Sequence, residues 1–260
     1  MNRDLAYIHP EAKIGKDVKI EAFAWIDKNV EIGDGTWIGP NATIMEGARI
    51  GKNCKIFPGA VVSAIPQDLK FNGEETTAEI GDNTTLRECV TVNRGTASKG
   101  KTVIGNNCLL MAYVHIGHDS VLGNNIIISN STNVAGEITI DDFAVISGDV
   151  QIHQFVNIGG HVMISGGSLV RKDVPPYITV AHEPLSYVGV NSIGLRRRGF
   201  TNETISHIQD IYREIFVKEQ NVTQALKNIE SDINQSDERD YILNFVRNSE
   251  RGIIRGYNGV

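Results

Sequence analysis

A six-residue repeat runs through most of this chain. From Ile8 to Val62, from Ile80 to Val92 and from Ile104 to Val170, every sixth residue is Ile, Leu or Val. The fifth place of each hexad is restricted to small or β-branched residues in the first section, as in IGKDVK and IGPNAT. Neither the helix period of 3.6 nor the strand period of 2 produces such a pattern. The chain is therefore expected to coil with three short flat sides.

The hexads predict a mainly β fold, a parallel β-helix over residues 1–190. Each hexad supplies one strand-like side and one corner, with its leading residue inside the column and Gly, Asn or Asp in the turn conformations. Three hexads make one coil of 18 residues. Stacked coils pair about 4.8 Å apart, so roughly eight coils form a column on the order of 40 Å long. Interruptions near residues 63–79 and 94–103 are expected to be loops.

Helical spacing replaces the hexads in the C-terminal part, which is predicted to form a helical domain over residues 191–260. Thr201 is a plausible N-cap. Apolar residues from Ile205 to Phe216 follow at spacings of three and four, which indicates an amphipathic helix. Two more helices are predicted over residues 221–229 and 237–248. Their apolar faces need a surface to pack on, either the column or another subunit.

Composition narrows the class of protein. The net charge of −6 and the pI of about 5.7 give no reason to expect nucleic-acid binding. No apolar run is long enough for a transmembrane segment, and we expect a cytoplasmic protein. Three cysteines without CxxC spacing argue against a disulfide framework or a structural zinc site. Cys54 and Cys108 fall on the small fifth place and are interpreted as packing residues, whereas Cys89 does not.

One short segment, HIGHD, holds two histidines and an aspartate outside the core positions. Histidine is suited to general-base work near neutral pH, and the carboxylate of Asp119 can orient His118. Because a coil has 18 residues, positions 136 and 154 lie one and two coils from His118. Gly136 and Gln154 should therefore lie on the same edge as His118.

The hexads, combined with the ordered segments QDLK, HIGHD, IHQF and GLRRRGF, resemble the acyl-carrier-protein-dependent UDP-N-acetylglucosamine O-acyltransferases among the hexapeptide-repeat acyltransferases. The resemblance implies a left-handed coil and a homotrimer with clefts between its columns. It implies transfer of an R-3-hydroxyacyl chain from acyl carrier protein to the 3-hydroxyl of UDP-N-acetylglucosamine, the first step of lipid A biosynthesis. No cofactor and no metal are expected.

The resemblance also assigns roles to residues. His118 becomes the general base, Asp119 its orienting partner, and the backbone N–H of Gly136 the oxyanion donor. A glycine at position 166, which sets acyl length in the family, leaves room for a long chain. Arg196 is expected to join Arg171 and Lys172 in attracting the acidic carrier protein. The implied substrate-binding residues are Asp68, Lys70, His115, His153, Gln154, Gly166, Asn191, Arg197 and Arg198.

Three points stay open in the sequence. Glu137 stands where the best-known members have a histidine, so its role is doubtful. The γ-type carbonic anhydrases share the hexad column, and His115, His118, His153 and His161 could serve a zinc hydratase. A noncatalytic scaffold is a third reading, in which the arginine run is a solvated charge patch. The preferred acyl length and the use of a 3-amino sugar nucleotide are undecided.

Overall fold

The computed structural model describes residues 5–218 and 221–256, which form a three-sided column with helices at its C-terminal end. Residues 1–4, 219–220 and 257–260, which belong to the two predicted domain ranges, lie outside the described residues. The column is a left-handed parallel β-helix, as predicted. None of the described helices combines the length and the apolarity needed to span a membrane.

Three sheets form the sides of the column, and we name them sheets A, B and C. Sheet A consists of β1 Tyr7–Ile8, β4 Trp25–Ile26, β7 Thr43–Ile44, β10 Val61–Ala64, β13 Thr91–Asn93, β16 His115–Ile116, β19 Asn133–Val134, β22 Gln151–Ile152 and β25 Leu169–Val170. Sheet B consists of β2 Lys13–Ile14, β5 Glu31–Ile32, β8 Ala48–Ile50, β11 Thr77–Ile80, β14 Lys101–Ile104, β17 Val121–Leu122, β20 Thr139–Ile140 and β23 Asn157–Ile158. Sheet C consists of β3 Lys19–Ile20, β6 Trp37–Ile38, β9 Lys55–Ile56, β12 Thr85–Leu86, β15 Leu109–Leu110, β18 Ile127–Ile128, β21 Val145–Ile146, β24 Met163–Ile164, β26 Ile178–Ala181, β27 Ser186–Val190 and β28 Arg255–Gly256.

The register confirms the predicted coil. Ile116 pairs with Val134, and Val134 pairs with Ile152, each 18 residues further along the chain. The two interruptions are loops that leave this stacking intact, because Ile80 still pairs with Ile104 across the second of them. Both loops emerge from the column without adding a coil.

The interior of the column holds the residues that lead the hexads. From Ile20 to Val170 each of them is at most 4% exposed. The fifth place fills the space beside them, and Cys54 and Cys108 are buried there as predicted. Polar residues at the fifth place keep a partner: the Thr36 hydroxyl donates to the carbonyl of Gly51 at 2.8 Å. Burial of this continuous aliphatic stack stabilises the column.

The corners depart from the expectation that Gly, Asn or Asp take the turns. The fourth place of nearly every hexad has a positive φ, and it accepts Phe143 at 62°, Glu137 at 59° and Cys89 at 57°. A non-glycine residue there costs roughly 1–2 kcal/mol. The backbone hydrogen bonds between coils offset that cost, such as Glu137 N to His118 O at 2.8 Å.

Four helices close the chain: α1 Ser192–Arg197, α2 Asn202–Phe216, α3 Val222–Asp232 and α4 Asp237–Arg247. The Thr201 side chain accepts from Thr204 N, which confirms it as the N-cap of α2. Within α2, Tyr212 is fully buried and its hydroxyl donates to Pro176 O at 2.6 Å. The helices therefore pack on the C-terminal end of the column, and β28 adds to sheet C beside β27.

Candidate active site

The candidate site lies on the edge where the chain turns from sheet A to sheet B, which we call the A–B edge. His118, Gly136 and Gln154 follow β16, β19 and β22 at the same place in successive hexads. The sequence prediction that they share an edge is therefore correct in geometry. What these residues do in a reaction is considered below under the proposed function.

His118 and Asp119 form a buried pair. His118 Nδ1 lies 2.8 Å from Asp119 Oδ2, and the two residues are 8% and 0% exposed. Because an ionised carboxylate only accepts hydrogen bonds, Nδ1 carries the proton when the imidazole is neutral. Nε2 is then the basic nitrogen of His118.

The second loop surrounds Asp119 with donors. Thr96 donates its hydroxyl to Oδ2 at 2.6 Å and its N–H to Oδ1 at 3.0 Å, and Lys99 N–H reaches Oδ1 at 3.1 Å. Burial by itself would raise the pKa of Asp119, but the hydrogen bonds from Thr96 and His118 outweigh it and hold the pKa below its ordinary value. Asp119 is thus kept as a carboxylate.

Sequence reasoning missed Thr96 and Lys99. A signal for them was present in the register, since Thr91 pairs with His115 and residues just beyond Asn93 must leave the column next to Asp119. The segment RGTASKG has no hexad pattern, so its conformation could not be read from the repeat.

Nε2 of His118 faces Gly136 and the first loop. A Cβ atom at position 136 would lie 2.6 Å from Nε2, so the ring occupies the space that only a glycine leaves. Asp68 Oδ2 lies 3.9 Å from Nε2. Lys70 donates its N–H to Asp68 Oδ1 at 2.9 Å and its side chain is exposed.

His115 is held in the neutral form beside the pair. Its Nδ1 lies 2.8 Å from the Thr91 hydroxyl oxygen. Burial, followed by the proximity of His118, lowers the pKa of His115. It can therefore offer hydrogen bonds without adding positive charge next to the base.

A groove of about 470 Å³ runs along sheet A beside this edge. It collects five of the predicted site residues: His115, His118, Gly136, His153 and Gln154. His153 Nδ1 lies 3.0 Å from Gln154 O and 3.3 Å from Arg251 Nη2. The groove also exposes polar residues that the sequence did not single out: Gln67, Asn93, Asn133, Gln151 and Arg171.

Asn191, Arg197 and Arg198 lie elsewhere, near the edge between sheets B and C. Asn191 Nδ2 donates to His161 O at 2.9 Å, and Arg198 Nη2 donates to Phe143 O at 2.9 Å. Phe143 and His161 each lie on the turn from sheet B to sheet C. Within one chain these three residues are thus not brought to His118.

Gly166 lies on the remaining edge, where sheet C turns into sheet A. It is exposed, and a Cβ atom there would lie 3.2 Å from Gly148 O. Arg171 and Lys172 line a separate cavity of about 610 Å³ together with Arg255. Arg196 is not among the residues around that cavity and hydrogen-bonds Asn202 Oδ1 at 3.1 Å.

Glu137 faces the second loop. Its Oε2 accepts a hydrogen bond from the Ser98 hydroxyl at 3.2 Å. Metal ligation finds no support in this region, because the described residues contain no group of three His, Cys, Asp or Glu side chains placed to hold an ion.

Comparisons with known proteins agree with this arrangement. The family model "Udp N-acetylglucosamine O-acyltransferase; Domain 2" matches residues 173–254, and "Bacterial transferase hexapeptide (six repeats)" matches residues 29–64 and 101–136. Two curated relatives are both named acyl-acyl-carrier-protein–UDP-N-acetylglucosamine O-acyltransferase. The one from Chlorobaculum parvum is 60% identical over 197 residues, 74% of each chain, and the one from Sulfurihydrogenibium is 56% identical over 95% of this chain and 92% of the relative.

A solved structure titled as LpxA, a UDP-N-acetylglucosamine acyltransferase from Bacteroides fragilis, superposes with a TM-score of 0.97. It is 58% identical and covers 98% of this chain and 100% of its own. These findings do not favour the carbonic anhydrase alternative. The chain therefore belongs to the UDP-N-acetylglucosamine O-acyltransferase family and is an acyltransferase.

Proposed function

We propose that this protein transfers an R-3-hydroxyacyl chain from acyl carrier protein to the 3-hydroxyl of UDP-N-acetylglucosamine, the first step of lipid A biosynthesis. The observation that carries the proposal is the buried His118–Asp119 pair, whose free Nε2 opens towards Gly136 in the groove on sheet A. A base, an adjacent oxyanion donor and a long groove are the parts that such an acyl transfer requires.

In the proposed reaction, His118 Nε2 takes the proton of the sugar 3-hydroxyl while that oxygen attacks the thioester carbonyl. Asp119 stabilises the resulting imidazolium through Nδ1. The N–H of Gly136 donates to the carbonyl oxygen as it becomes negative. When the tetrahedral intermediate collapses, the C–S bond breaks and the departing thiolate takes the proton back from His118.

The groove residues would hold the substrates. Asp68, 3.9 Å from Nε2, is suited to accept a hydrogen bond from a hydroxyl of the acceptor sugar. The exposed ammonium of Lys70 is suited to a phosphate of the nucleotide. His115, His153 and Gln154 line the groove on both sides of Gly136 and would contact the sugar and the acyl chain.

We further propose a homotrimer with one site in each cleft. Asn191, Arg197 and Arg198 lie near the B–C edge, so they could contact the nucleotide at His118 only from a neighbouring copy. Gly166 on the C–A edge would lie near the acyl chain at the far side of sheet A. Division into a column over residues 1–190 and a helical unit over 191–260, and residence in the cytoplasm, belong to the same proposal.

The main test is acyl transfer to radiolabelled UDP-N-acetylglucosamine from acyl carrier proteins loaded with 3-hydroxyacyl chains of different length. Wild-type protein should form the 3-O-acyl product, and His118→Ala should lose on the order of 10³-fold in kcat. A parallel assay with the 3-amino sugar nucleotide decides between the two acceptors. Full activity in His118→Ala would refute the proposed base.

A mixing experiment tests the shared cleft. His118→Ala and Arg198→Ala would each be poorly active alone, because each trimer lacks one necessary group at every site. Chains of the two variants, refolded together in equal amounts, should regain roughly a quarter of wild-type sites if each cleft joins two copies. No regain of activity would place Arg198 outside the site of the neighbouring copy.

A further inference from the structure

The second loop is fastened directly onto the partner of the base. Thr96 lies just outside the column, is 7% exposed, and touches the fully buried carboxylate of Asp119. Neither residue that this loop contributes belongs to a hexad. The loop therefore has a reason to be there that the column does not supply.

The direction of the Thr96 hydroxyl is fixed by its two neighbours. Thr96 Oγ1 accepts the N–H of Ser98 at 3.1 Å, so its own proton is free to point to Asp119 Oδ2 at 2.6 Å. Oδ2 is also the oxygen that His118 Nδ1 approaches at 2.8 Å. A single carboxylate oxygen thus receives the hydroxyl of Thr96 and the imidazole N–H.

The loop is held in place from three sides. Thr76 donates its hydroxyl to Gly95 O at 2.6 Å, and Ala97 N–H reaches Glu74 Oε1 at 2.9 Å. The third contact is the exposed hydrogen bond from Ser98 to Glu137. An exposed hydrogen bond contributes little, whereas a buried one to a carboxylate is among the strong ones. Thr96 is accordingly the member of the loop on which the pair depends.

We propose that Thr96 is a positioning residue for the acyl transfer, which keeps Asp119 ionised and aimed at Nδ1 so that His118 is neutral and presents Nε2 as the base. This inference rests on the proposed function. Thr96 touches neither substrate nor Nε2 in this account, and it acts only through Asp119.

The sign of the pH effect follows from the chemistry. Without the Thr96 hydroxyl, Asp119 takes up a proton at a higher pH, and while it is ionised its unshared charge stabilises the imidazolium of His118 more strongly. Both changes reduce the population with ionised Asp119 and neutral His118 at acidic pH. The other titratable and charged groups around the pair and its loop, which the variant leaves in place, are Asp68, Glu74, Lys99, His115, Glu137, His153 and Arg171.

The test compares Thr96→Val, which keeps the branched shape but has no hydroxyl, with Thr96→Ser, which keeps the hydroxyl. Thr96→Val should lower kcat about tenfold and move the acidic limb of kcat/KM up by about one pH unit, while Thr96→Ser stays near wild type. Thermal unfolding of both variants checks that the fold is retained. An unchanged kcat and pH profile in Thr96→Val, or equal losses in the two variants, would overturn the proposal.

A second measurement does not depend on turnover. Diethylpyrocarbonate acylates only the neutral imidazole, so its reaction rate at His118, followed by mass spectrometry over a range of pH, reports the protonation of that ring. The midpoint should lie at a higher pH in Thr96→Val than in wild type. An identical midpoint would overturn the role of Thr96, even if the acyl-transfer assay had already refuted the proposed function.

Discussion

Two edges of the same column use the third place of the hexad in opposite ways. On the B–C edge this place holds a stack of Asp and Asn side chains, each accepting a backbone N–H from the preceding coil: Asp34, Asp82, Asn106, Asn124 and Asp142. On the A–B edge it holds His118, Gly136 and Gln154. The first edge repeats one chemical group to stabilise the coils, and the second varies it.

The difference shows how a repeat protein makes room for a site. A stack of identical acceptors contributes the same hydrogen bond at every coil, so it stabilises without selecting anything. Where the stack is absent, a coil is still held by its aliphatic interior and its backbone pairing. Side chains on that edge are then free to be chosen for chemistry.

The largest effect should come from filling the space beside the base. Gly136→Ala places a Cβ atom 2.6 Å from His118 Nε2, so the ring must move, and kcat should fall about 100-fold. Gly148→Ala is the matched control, because a Cβ atom there approaches only Asn130 O at 3.2 Å. Steady-state kinetics of the two variants distinguish them; similar kcat values would mean that the ring position is not critical.

Asp119→Asn should lower kcat by on the order of 10²-fold, because an amide can no longer stabilise the imidazolium. It also changes the acid stability. The folded-state pKa of Asp119 lies below its unfolded value, so its ionised form stabilises the fold above the unfolded pKa, and this contribution is lost as the pH falls through the folded pKa.

Urea unfolding of wild type and Asp119→Asn between about pH 3 and pH 7 measures this contribution. The free energy of unfolding of wild type should fall more steeply than that of the variant below about pH 4. Parallel curves would contradict the lowered pKa of Asp119.

The B–C edge should show the reverse behaviour. Asn124→Ala removes the acceptor of Asn106 N–H at 2.9 Å and should lower the free energy of unfolding by about 1 kcal/mol while kcat stays unchanged. Equilibrium unfolding and the acyl-transfer assay are both needed. A loss of kcat without loss of stability would mean that the two edges are not separated in function.

The smallest effect is expected at Glu137. Glu137→Gln keeps an acceptor for the exposed Ser98 hydroxyl, and Glu137→Ala removes it, so kcat should change less than about threefold even in the second variant. A much larger loss in Glu137→Gln, measured by the same assay, would show that the carboxylate charge itself acts in the site.

Much of the site could be predicted because the repeat is a coordinate system. Once the coil length was known, the sharing of one edge by His118, Gly136 and Gln154 followed from arithmetic. Thr96 could not be placed in this way, since six inserted residues in the second loop obey no period and their path depends on contacts with Asp119, Glu74 and Glu137.

By itself, the sequence determined the column, its register and the burial of its aliphatic residues, because each coil repeats the same local interactions with the coil before it. The tolerance of the corners for residues such as Phe143 was decided by the tertiary structure, since backbone pairing between coils offsets the local strain. Only the packing of the helices on the end of the column placed Arg198 against Phe143 and away from His118 in the same chain. Such contacts join segments far apart in the chain, and no short-range pattern encodes them.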